Sequence, residues 1–181
     1  MGMSGGIDST LCAVLAKPVC DELNIPLIGR SLPASSNSDG ENSRATEIGE
    51  LFCTNFDEVD IQWQFHQMAR IVSEEDHDDK VFSDKRAIQN GNIKARLRMI
   101  YLYDLASINK GLVLSTDNWT EYLLGFWTLH GDVGDYGMIQ ELWKTEVYEM
   151  AHWLVNNELK FVEFEGVQKV IDADATDGLG I

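Results

Sequence analysis

The chain has 181 residues, of which 44% are hydrophobic and 24% charged, a composition typical of one soluble globular domain with its own core. Its net charge of −16, from 30 acidic and 14 basic residues, repels phosphate backbones and disfavours nucleic acid as a main partner. No apolar run approaches the roughly 18 residues that span a bilayer, so no membrane partner is expected.

Three cysteines, Cys12, Cys20 and Cys53, leave an odd count and form no closely spaced pair. This spacing disfavours a disulfide framework and favours a reducing, cytoplasmic location. Cys12 and Cys20 fall on one face of the first predicted helix. We interpret the cysteines as buried apolar residues rather than as metal ligands or nucleophiles.

The first half of the chain predicts strands and helices in alternation. Leu11, Val14, Leu15 and Val19 follow one another at steps of three, one and four residues, which is helical spacing, and mark the buried face of the first helix. The predicted elements, in order, are the end of a strand at 1–3, a helix over 8–24, a short strand from 27 to 29, a helix near 41–52 and a strand at 58–61.

The second half opens with a charge run, Ser73 to Lys80, which we interpret as a solvated loop. His77 within it is a disfavoured candidate for a metal ligand. The strongest helical pattern follows, with apolar residues at Ile93, Leu97, Ile100, Tyr101, Leu105 and Ile108, and residues 109–111 as its stop. After it come a buried strand at 111–115, a loop and helix over 116–127, a Gly/Asp-rich loop at 129–137, a helix over 142–156, and a tail, 160–181, without a clear element.

This alternation predicts a single α/β domain over 1–181, with a doubly wound parallel sheet and helices on both of its faces. In such folds ligands bind beyond the carboxyl ends of the strands. The loops that follow strands are therefore where functional residues are expected.

The first such loop runs from Ser4 to Thr10 and contains two adjacent glycines, Gly5 and Gly6. Glycines allow the backbone to approach a ligand closely, and the amides at the start of the next helix favour an anion such as pyrophosphate. The loop is not a Walker A motif, because the Gly-Lys-Ser/Thr ending is absent. On these residues alone, a plain turn in which Asp8 and Ser9 cap the helix stays an equal alternative.

The full string of this loop, SGGIDST, resembles the SGGxDS loop of the PP-loop ATP pyrophosphatases, which split ATP into AMP and pyrophosphate to activate a carbonyl or carboxylate. Within that superfamily the chain is similar to the ammonia-dependent NAD synthetases over essentially its whole length. The matching segments, in the family's order, are GNIKARLRM at 91–99, TDNWTE at 116–121, GFWT at 125–128 followed by Gly131-Asp132, LWKT at 142–145 and ATDGL at 175–179. The resemblance implies a Rossmann-like fold of the adenine nucleotide alpha-hydrolase type.

Carried over position by position, the resemblance implies an ATP site, a magnesium site and a substrate site. The ATP phosphates would be held by Ser4, Gly5, Gly6, Asp8 and Ser9. Further ATP contacts would come from Thr116, Lys144 and Thr176, with Arg30 as a weaker adenosine contact. Mg²⁺ would be bound by Asp8 and Glu121, and deamido-NAD by Arg96 and Asp135. Asp132 would orient or deprotonate ammonia, and Lys144 would neutralise phosphate charge during catalysis.

Each of these roles agrees with the chemistry of the residue. Mg²⁺ prefers carboxylate and phosphate oxygens, and a carboxylate such as Asp132 suits ammonium. Lys144 stands at a helix start, where the dipole disfavours a cation, which argues for a ligand-driven purpose. The structural alternatives are that Arg96 is a surface charge, that Glu121 faces solvent and that Asp132 forms a turn. Arg98 we interpret as a plain surface charge.

The chain also departs from the family pattern. Leu129-His130 stands where the family has lysine-tyrosine, so a substrate-binding lysine is missing and His130 would replace it only in part. The loop from Gly131 to Lys144 is one residue shorter, so the match of Asp135 depends on where the gap is set. Family segments before and after this span are absent, which makes truncation at both ends the expectation.

The function implied is the ATP-dependent amidation of deamido-NAD by free ammonia, with Mg²⁺ as cofactor and a homodimer as the expected assembly. A second enzyme class, another amidating or thiolating ligase of the superfamily, stays open, although the −16 charge disfavours tRNA thiolation. A nucleotide-binding relative without turnover is the non-enzymatic alternative. The replacement at Leu129-His130 and the missing ends keep that alternative open.

Overall fold

The fold is described from a computed structural model over residues 1–34, 37–76 and 86–176, with the side chains of 73–76 left aside. His77, and the candidate metal role given to it, lie outside the described residues. Within these ranges the chain forms seven helices and four strands. They are α1 (Ile7–Leu23), β1 (Ile28–Ser31), α2 (Asp39–Phe52), β2 (Asn55–Glu58), α3 (Gln62–Asp76), α4 (Ala87–Asn109), β3 (Leu114–Ser115), α5 (Trp119–Leu124), β4 (Tyr136–Gly137), α6 (Lys144–Asn157) and α7 (Phe161–Ile171).

The strands pair in parallel. β1 pairs with β2 in the register Ile28 to Asn55, and β3 pairs with β4 in the register Leu114 to Tyr136. The amino-terminal segment adds to the first pair, because Gly2 forms a parallel bridge with Arg30. Helices separate the paired strands along the chain, as parallel crossovers require. The predicted α/β class is confirmed.

The named strands form two separate two-stranded sheets, and helices lie on both sides of the segment that adds to the first. Met1 and Met3 point into the main core, while a Cβ at Gly2, between them, would lie 3.4 Å from Leu102 of α4. The main core is built from α1, α2, α6 and α7, which contact one another. A smaller cluster of Leu32, Ala34 and Ile61 packs against α4 on the other side.

Local signals explain where several helices begin and end. α1 ends at Asn24, which adopts the left-handed conformation (φ 53°) that closes many helices, and α4 ends at Lys110 in the same way (φ 54°). α2 begins at a capping box in which Ser38 and Glu41 bond to each other's backbone. Among the helices of the described ranges, none combines the length and apolar character that crossing a bilayer demands.

Apolar residues on two helices are in part exposed. Val19 is 54% exposed, because α1 buries its residues up to Ala16 and then extends past the core. On α4, Ile100 and Ile108 are 57% and 72% exposed, while Lys94 and Ala95 face inward. The prediction that Val19 lies on a buried face was wrong.

Element boundaries also differ, and the buried strand predicted at 111–115 is β3 at Leu114–Ser115, with Leu112 70% exposed. The strand predicted at 58–61 is β2 at Asn55–Glu58, and Ile61 is apolar because it packs under α4 rather than because it lies in a strand. Ser73 to Asp76, predicted as loop, end helix α3. The tail holds helix α7, whose Val167, Val170 and Ile171 are buried at helical spacing.

Candidate functional site

The glycine-rich loop folds back on its own hydroxyl groups. Gly5 has a φ of 79°, and a Cβ there would lie 2.2 Å from the Glu41 carbonyl oxygen, so only glycine fits. The Ser9 hydroxyl accepts a hydrogen bond from the Ser4 amide at 3.2 Å and lies 3.0 Å from the Ser4 hydroxyl. Gly6 is the N-cap of α1, and it makes no side-chain hydrogen bond to the amides in the first turn of that helix. The loop therefore offers amides and hydroxyls to an anion.

Asp8 and Glu121 meet at one ammonium group. Lys144 Nζ forms a close ion pair with Asp8 Oδ2 and lies 3.5 Å from Glu121 Oε1. Asp8 belongs to the first turn of α1, Glu121 to α5 and Lys144 to the start of α6. Three residues predicted to act together from distant parts of the sequence are thus adjacent.

Asn118 holds the two carboxylates in place. It is fully buried, and its Nδ2 donates to Asp8 Oδ1 at 2.9 Å. Its backbone amide donates to Glu121 Oε2 at 3.2 Å, and its Oδ1 accepts from the Glu121 amide at 3.0 Å, which completes a capping box for α5. One oxygen of each carboxylate is therefore bound to Asn118, and the other faces Lys144.

The backbone of Lys144 is fixed by α5. The Thr120 hydroxyl accepts a hydrogen bond from the Lys144 amide at 2.9 Å, and the Trp119 amide donates to the Leu142 carbonyl at 2.8 Å. The first turns of α5 and α6 are thereby joined. From this anchored position the lysine side chain, 29% exposed, extends across to α1.

The charges of the cluster shift one another's pKa values. Burial lowers the pKa of Lys144, but the carboxylates of Asp8 and Glu121 more than reverse this and hold it above its ordinary value. Burial and the neighbouring Asp8 charge raise the pKa of Glu121, and the attraction of Lys144 does not offset them. Burial also raises the pKa of Asp117 to about 6, with further contributions from the Asp132, Glu121 and Asp8 charges, although the Ser115 hydroxyl bond opposes the shift.

The donor set fits a magnesium ion that is shared with a phosphate ligand. Asp8 Oδ2 and Glu121 Oε1 already converge on one cation, the Lys144 ammonium. Within the described ranges no group of three His, Cys, Asp or Glu side chains could hold a metal by itself. Mg²⁺ in nucleotide sites takes one or two carboxylates and completes its shell with phosphate oxygens and water, so two carboxylates suffice.

Thr176 lies on the other side of the loop. Its hydroxyl bonds closely to Glu41 Oε1 in the first turn of α2, and Arg44 Nε of the same helix donates to the Gly5 carbonyl at 3.0 Å. Burial raises the pKa of Glu41, but hydrogen bonds from Thr176 and Ser38 bring it below its ordinary value. The predicted ATP contact at Thr176 is thus one side chain away from the glycine-rich loop.

A second group of predicted residues surrounds the turn from Thr128 to Asp132. Arg96 Nε donates to the Leu129 carbonyl at 3.1 Å, and Asp132 Oδ2 accepts from the Thr128 amide at 2.6 Å. His130, inside this turn, has a positive φ of 60°. Arg96, His130 and Asp132 are therefore neighbours, and one oxygen of Asp132 serves the turn.

Two predicted ligands point elsewhere. Arg30 Nη1 donates to the carbonyls of Gly29 (2.6 Å) and Asn55 (3.3 Å), near the amino ends of β1 and β2 and away from the glycine-rich loop. Asp135 accepts from the Val113 amide at 2.8 Å and from the Tyr103 hydroxyl at 3.5 Å, at the amino end of β3. Both side chains are engaged by the fold itself, and their ligand roles stay predictions.

Thr116 follows β3 directly, at the strand end that also carries Asp117 and Asn118. It is half-buried. Its proposed contact with ATP stays a prediction.

Arg98, interpreted as a surface charge, is instead tied into the fold. Its Nε donates to the Leu32 carbonyl at 2.9 Å and its Nη2 to Asn37 Oδ1 at 3.1 Å. Burial lowers the pKa of Arg98, while the charges of Asp132 and Glu41 raise it. The guanidinium therefore interacts with Glu41, beside the glycine-rich loop, and with Asp132, in the turn from Thr128 to Asp132.

The prediction that the cysteines are buried apolar residues is confirmed for Cys12. Cys12 is fully buried, and burial, with the charges of Asp8 and Asp117, raises the pKa of its thiol to about 12. Such a thiol is not a nucleophile. Cys20 and Cys53 are half-buried against the same core, and all three are free.

A cavity of about 330 Å³ opens at the carboxyl ends of β1 and β2, lined in part by Pro33, Asn37 and Asp60. A larger one, about 540 Å³, lies along α2 and is lined by Glu47, Glu50 and other residues, none of which belongs to the cluster of Asp8, Glu121 and Lys144. We assign function to the edge that carries the converging charges, since cavity size alone does not indicate chemistry.

The sequence matches one protein family over most of its length. Residues 1–161 match the NAD synthase family. The NH₃-dependent NAD⁺ synthetase of Helicobacter pylori (strain P12) is 34% identical over 159 residues, which cover 84% of this chain and 54% of that protein. The chain spans about half the length of the curated relatives that it matches.

Two solved structures are similar over nearly the whole chain. An NMN synthetase from Francisella tularensis has a TM-score of 0.78 at 27% identity, covering 98% of this chain and 66% of that one. An NH₃-dependent NAD synthetase from Campylobacter jejuni, solved with a nitrate ion, has a TM-score of 0.70 at 27% identity, covering 91% and 65%.

Proposed function

This chain belongs to the NAD synthase family, and from that membership we propose that it is a carbon–nitrogen ligase that converts deamido-NAD to NAD⁺ with ATP and free ammonia. The observation that carries the proposal is the meeting of Asp8, Glu121 and Lys144 beside a glycine-rich anion loop. Such a site suits a nucleotide triphosphate with its metal.

In the first half of the proposed reaction, a carboxylate oxygen of the substrate attacks the α-phosphorus of ATP. The new bond joins that oxygen to AMP, and the bond to pyrophosphate breaks. The loop amides and the Ser4 and Ser9 hydroxyls hold the leaving pyrophosphate, and Lys144 offsets its charge. Mg²⁺, held by Asp8 and Glu121, would supply further charge neutralisation when bound.

In the second half, ammonia attacks the activated carbonyl carbon, a C–N bond forms and the C–O bond to AMP breaks. Asp132 would hold the ammonium and accept the proton that it loses, through the oxygen that the Thr128 amide does not use. Arg96 and His130, on the same side, would hold anionic groups of the substrate. A free carboxylate has no competent leaving group, which is why activation must come first.

A second candidate substrate is the mononucleotide, since one similar structure is an NMN synthetase. The cation missing at Leu129-His130, which the family resemblance assigns to dinucleotide binding, favours this candidate. The experiment is to supply ATP, Mg²⁺ and ammonium with either nicotinic acid adenine dinucleotide or nicotinic acid mononucleotide, and to measure AMP and the amide product. Turnover of the mononucleotide alone would replace the first proposal by the second.

The nitrogen source and the metal site have their own controls. Ammonium should support turnover, whereas glutamine as sole source should not. Asp8→Asn should abolish AMP formation while circular dichroism shows an intact fold. Binding of both nucleotides without any AMP formation by the unaltered protein would instead favour a nucleotide-binding relative that has no turnover.

We also propose that the protein is a homodimer, on the ground of the family resemblance. We propose a cytoplasmic location, on the ground of the free cysteines. Exposed apolar residues such as Ile108 on α4 and Leu124 on α5 would suit contact with a second copy. The molar mass in solution, measured by light scattering, tests the assembly.

A further inference from the structure

The cation position between Asp8 and Glu121 is already filled by a group of the chain itself. Lys144 Nζ contacts Asp8 Oδ2 closely and lies 3.5 Å from Glu121 Oε1. The remaining oxygens of both carboxylates accept hydrogen bonds from Asn118. The oxygens that face Lys144 are therefore the ones left for a metal ion to bind.

We propose that Lys144 is an internal competitor of the divalent cation, which occupies the metal position in the nucleotide-free protein and leaves it when ATP arrives. This inference rests on the metal site of the proposed function. It adds a second state of the lysine, in which the ammonium bonds to ATP phosphates instead of to Asp8.

Charge explains why the two cations exclude each other. Asp8 and Glu121 carry two negative charges, and the Lys144 ammonium neutralises one of them. A divalent ion bound to the same oxygens would neutralise both but would lie in contact with the ammonium and repel it. Metal entry therefore requires Lys144 to move, and the phosphates of ATP supply the negative charge to which it can move.

The geometry allows this exchange without a shift of the backbone. The amide of Lys144 is bonded to Thr120, so the start of α6 is fixed, while the long side chain can swing about its own torsions. The consequence is positive coupling between nucleotide and metal. Metal alone meets an occupied position, and metal with ATP meets an open one.

The experiment measures Mn²⁺ binding to the nucleotide-free protein, by the loss of the free-ion electron paramagnetic resonance signal. Lys144→Met and Lys144→Gln, which remove the charge, should bind Mn²⁺ at least tenfold more tightly than the unaltered protein. Either variant suffices if the other does not fold, as judged by circular dichroism. Adding Glu121→Gln to the variant should abolish the gain.

Lys169→Met is the matched control, since it removes the same charge from an exposed pair with Glu47 on α2. It should leave Mn²⁺ affinity unchanged. Lys144 variants that bind no more tightly than the unaltered protein would overturn the inference, and so would a gain that survives Glu121→Gln.

The same titration distinguishes the two levels of proposal. If the unaltered protein binds Mn²⁺ together with a non-hydrolysable ATP analogue, but the Lys144 variants show no gain without it, the metal site stands and the competition does not. If Mn²⁺ binds in none of these conditions, the metal site and the inference both fail.

Discussion

The side-chain amide of Asn118 donates a 2.9 Å hydrogen bond to Asp8, a residue 110 positions earlier in the chain. The same Asn118 caps α5 and bonds Glu121. One buried amide therefore sets the distance between the two carboxylates that we propose as metal ligands. That relationship gives the first prediction.

Asn118→Asp should keep the cap but break the tether. An aspartate oxygen still accepts from the Glu121 amide, yet the new carboxylate meets Asp8 without a donor between them. We expect a loss of about 1–3 kcal/mol in the free energy of unfolding, measured by urea denaturation at pH 7. Asn156→Ala, which removes an exposed amide that bonds to His152, should change stability by less than about 0.5 kcal/mol. Equal effects of the two substitutions would contradict the tether.

Gly5→Ala should damage the anion loop much more than Gly125→Ala damages the end of α5. Both glycines have positive φ, 79° and 66°, so both substitutions strain the backbone by about 1 kcal/mol. At Gly5 the new methyl group also meets the Glu41 carbonyl oxygen at 2.2 Å, whereas nothing lies within 4 Å at Gly125. We expect Gly5→Ala to cost about 2–4 kcal/mol in thermal unfolding and to abolish ATP binding by calorimetry. Similar losses at the two positions would rule out the steric explanation.

Asp117→Asn should change how stability depends on pH. The pKa of Asp117 is raised from 3.8 to about 6, so the folded protein holds this proton more tightly than the unfolded chain does. The free energy of unfolding of the unaltered protein should therefore fall as pH rises from about 4 to 6 and stay lower above that range. The variant lacks this fall and should be more stable at pH 7 by about 1–2 kcal/mol, a figure reduced for solvent screening.

Urea denaturation at pH 4, 5, 6 and 7 measures this difference. The two proteins should be closest in stability at pH 4, where Asp117 is protonated in the folded state. Parallel stability curves over this range would show that the Asp117 proton does not differ between the folded and unfolded chains.

Asp132→Asn tests whether Asp132 handles ammonia or merely forms a turn. The asparagine oxygen can still accept from the Thr128 amide, so the turn remains, but the charge is lost. We expect turnover at saturating ammonium to fall about 100-fold. Asp172→Asn, which removes an exposed charge at the end of α7, should leave turnover unchanged. Full activity of Asp132→Asn would assign Asp132 to the turn alone.

Local signals in the sequence predicted most of the elements and the ends of α1 and α4, but α3, β4 and α7 were not predicted. The stop after Asn109 needs no knowledge of the rest of the fold. Buried faces were less predictable. Val19 continues an apolar stripe, but only the packing of α1 against other elements decides how far the core reaches.

The candidate site was predictable in outline. Asp8 and Glu121 each lie just beyond a strand, and parallel strands bring their carboxyl ends to one edge. The spacing of Asn118 and Glu121 is that of a capping box and could have been read from the sequence. The bond from Asn118 to Asp8, and the inward turn of Arg98, depend on tertiary contacts that have no local signal.

Helix α6 carries Lys144 in its first turn and, farther along, Val147, Ala151 and Val155 buried in the main core. One helix therefore carries both a proposed nucleotide-binding residue and part of the hydrophobic core. Looser packing of the core beneath α6 would increase the positional fluctuation of the Lys144 ammonium. Even a displacement of a fraction of an ångström would weaken its contact with the nucleotide phosphates. Warming the protein should therefore erode nucleotide affinity at temperatures where the chain still holds its overall shape.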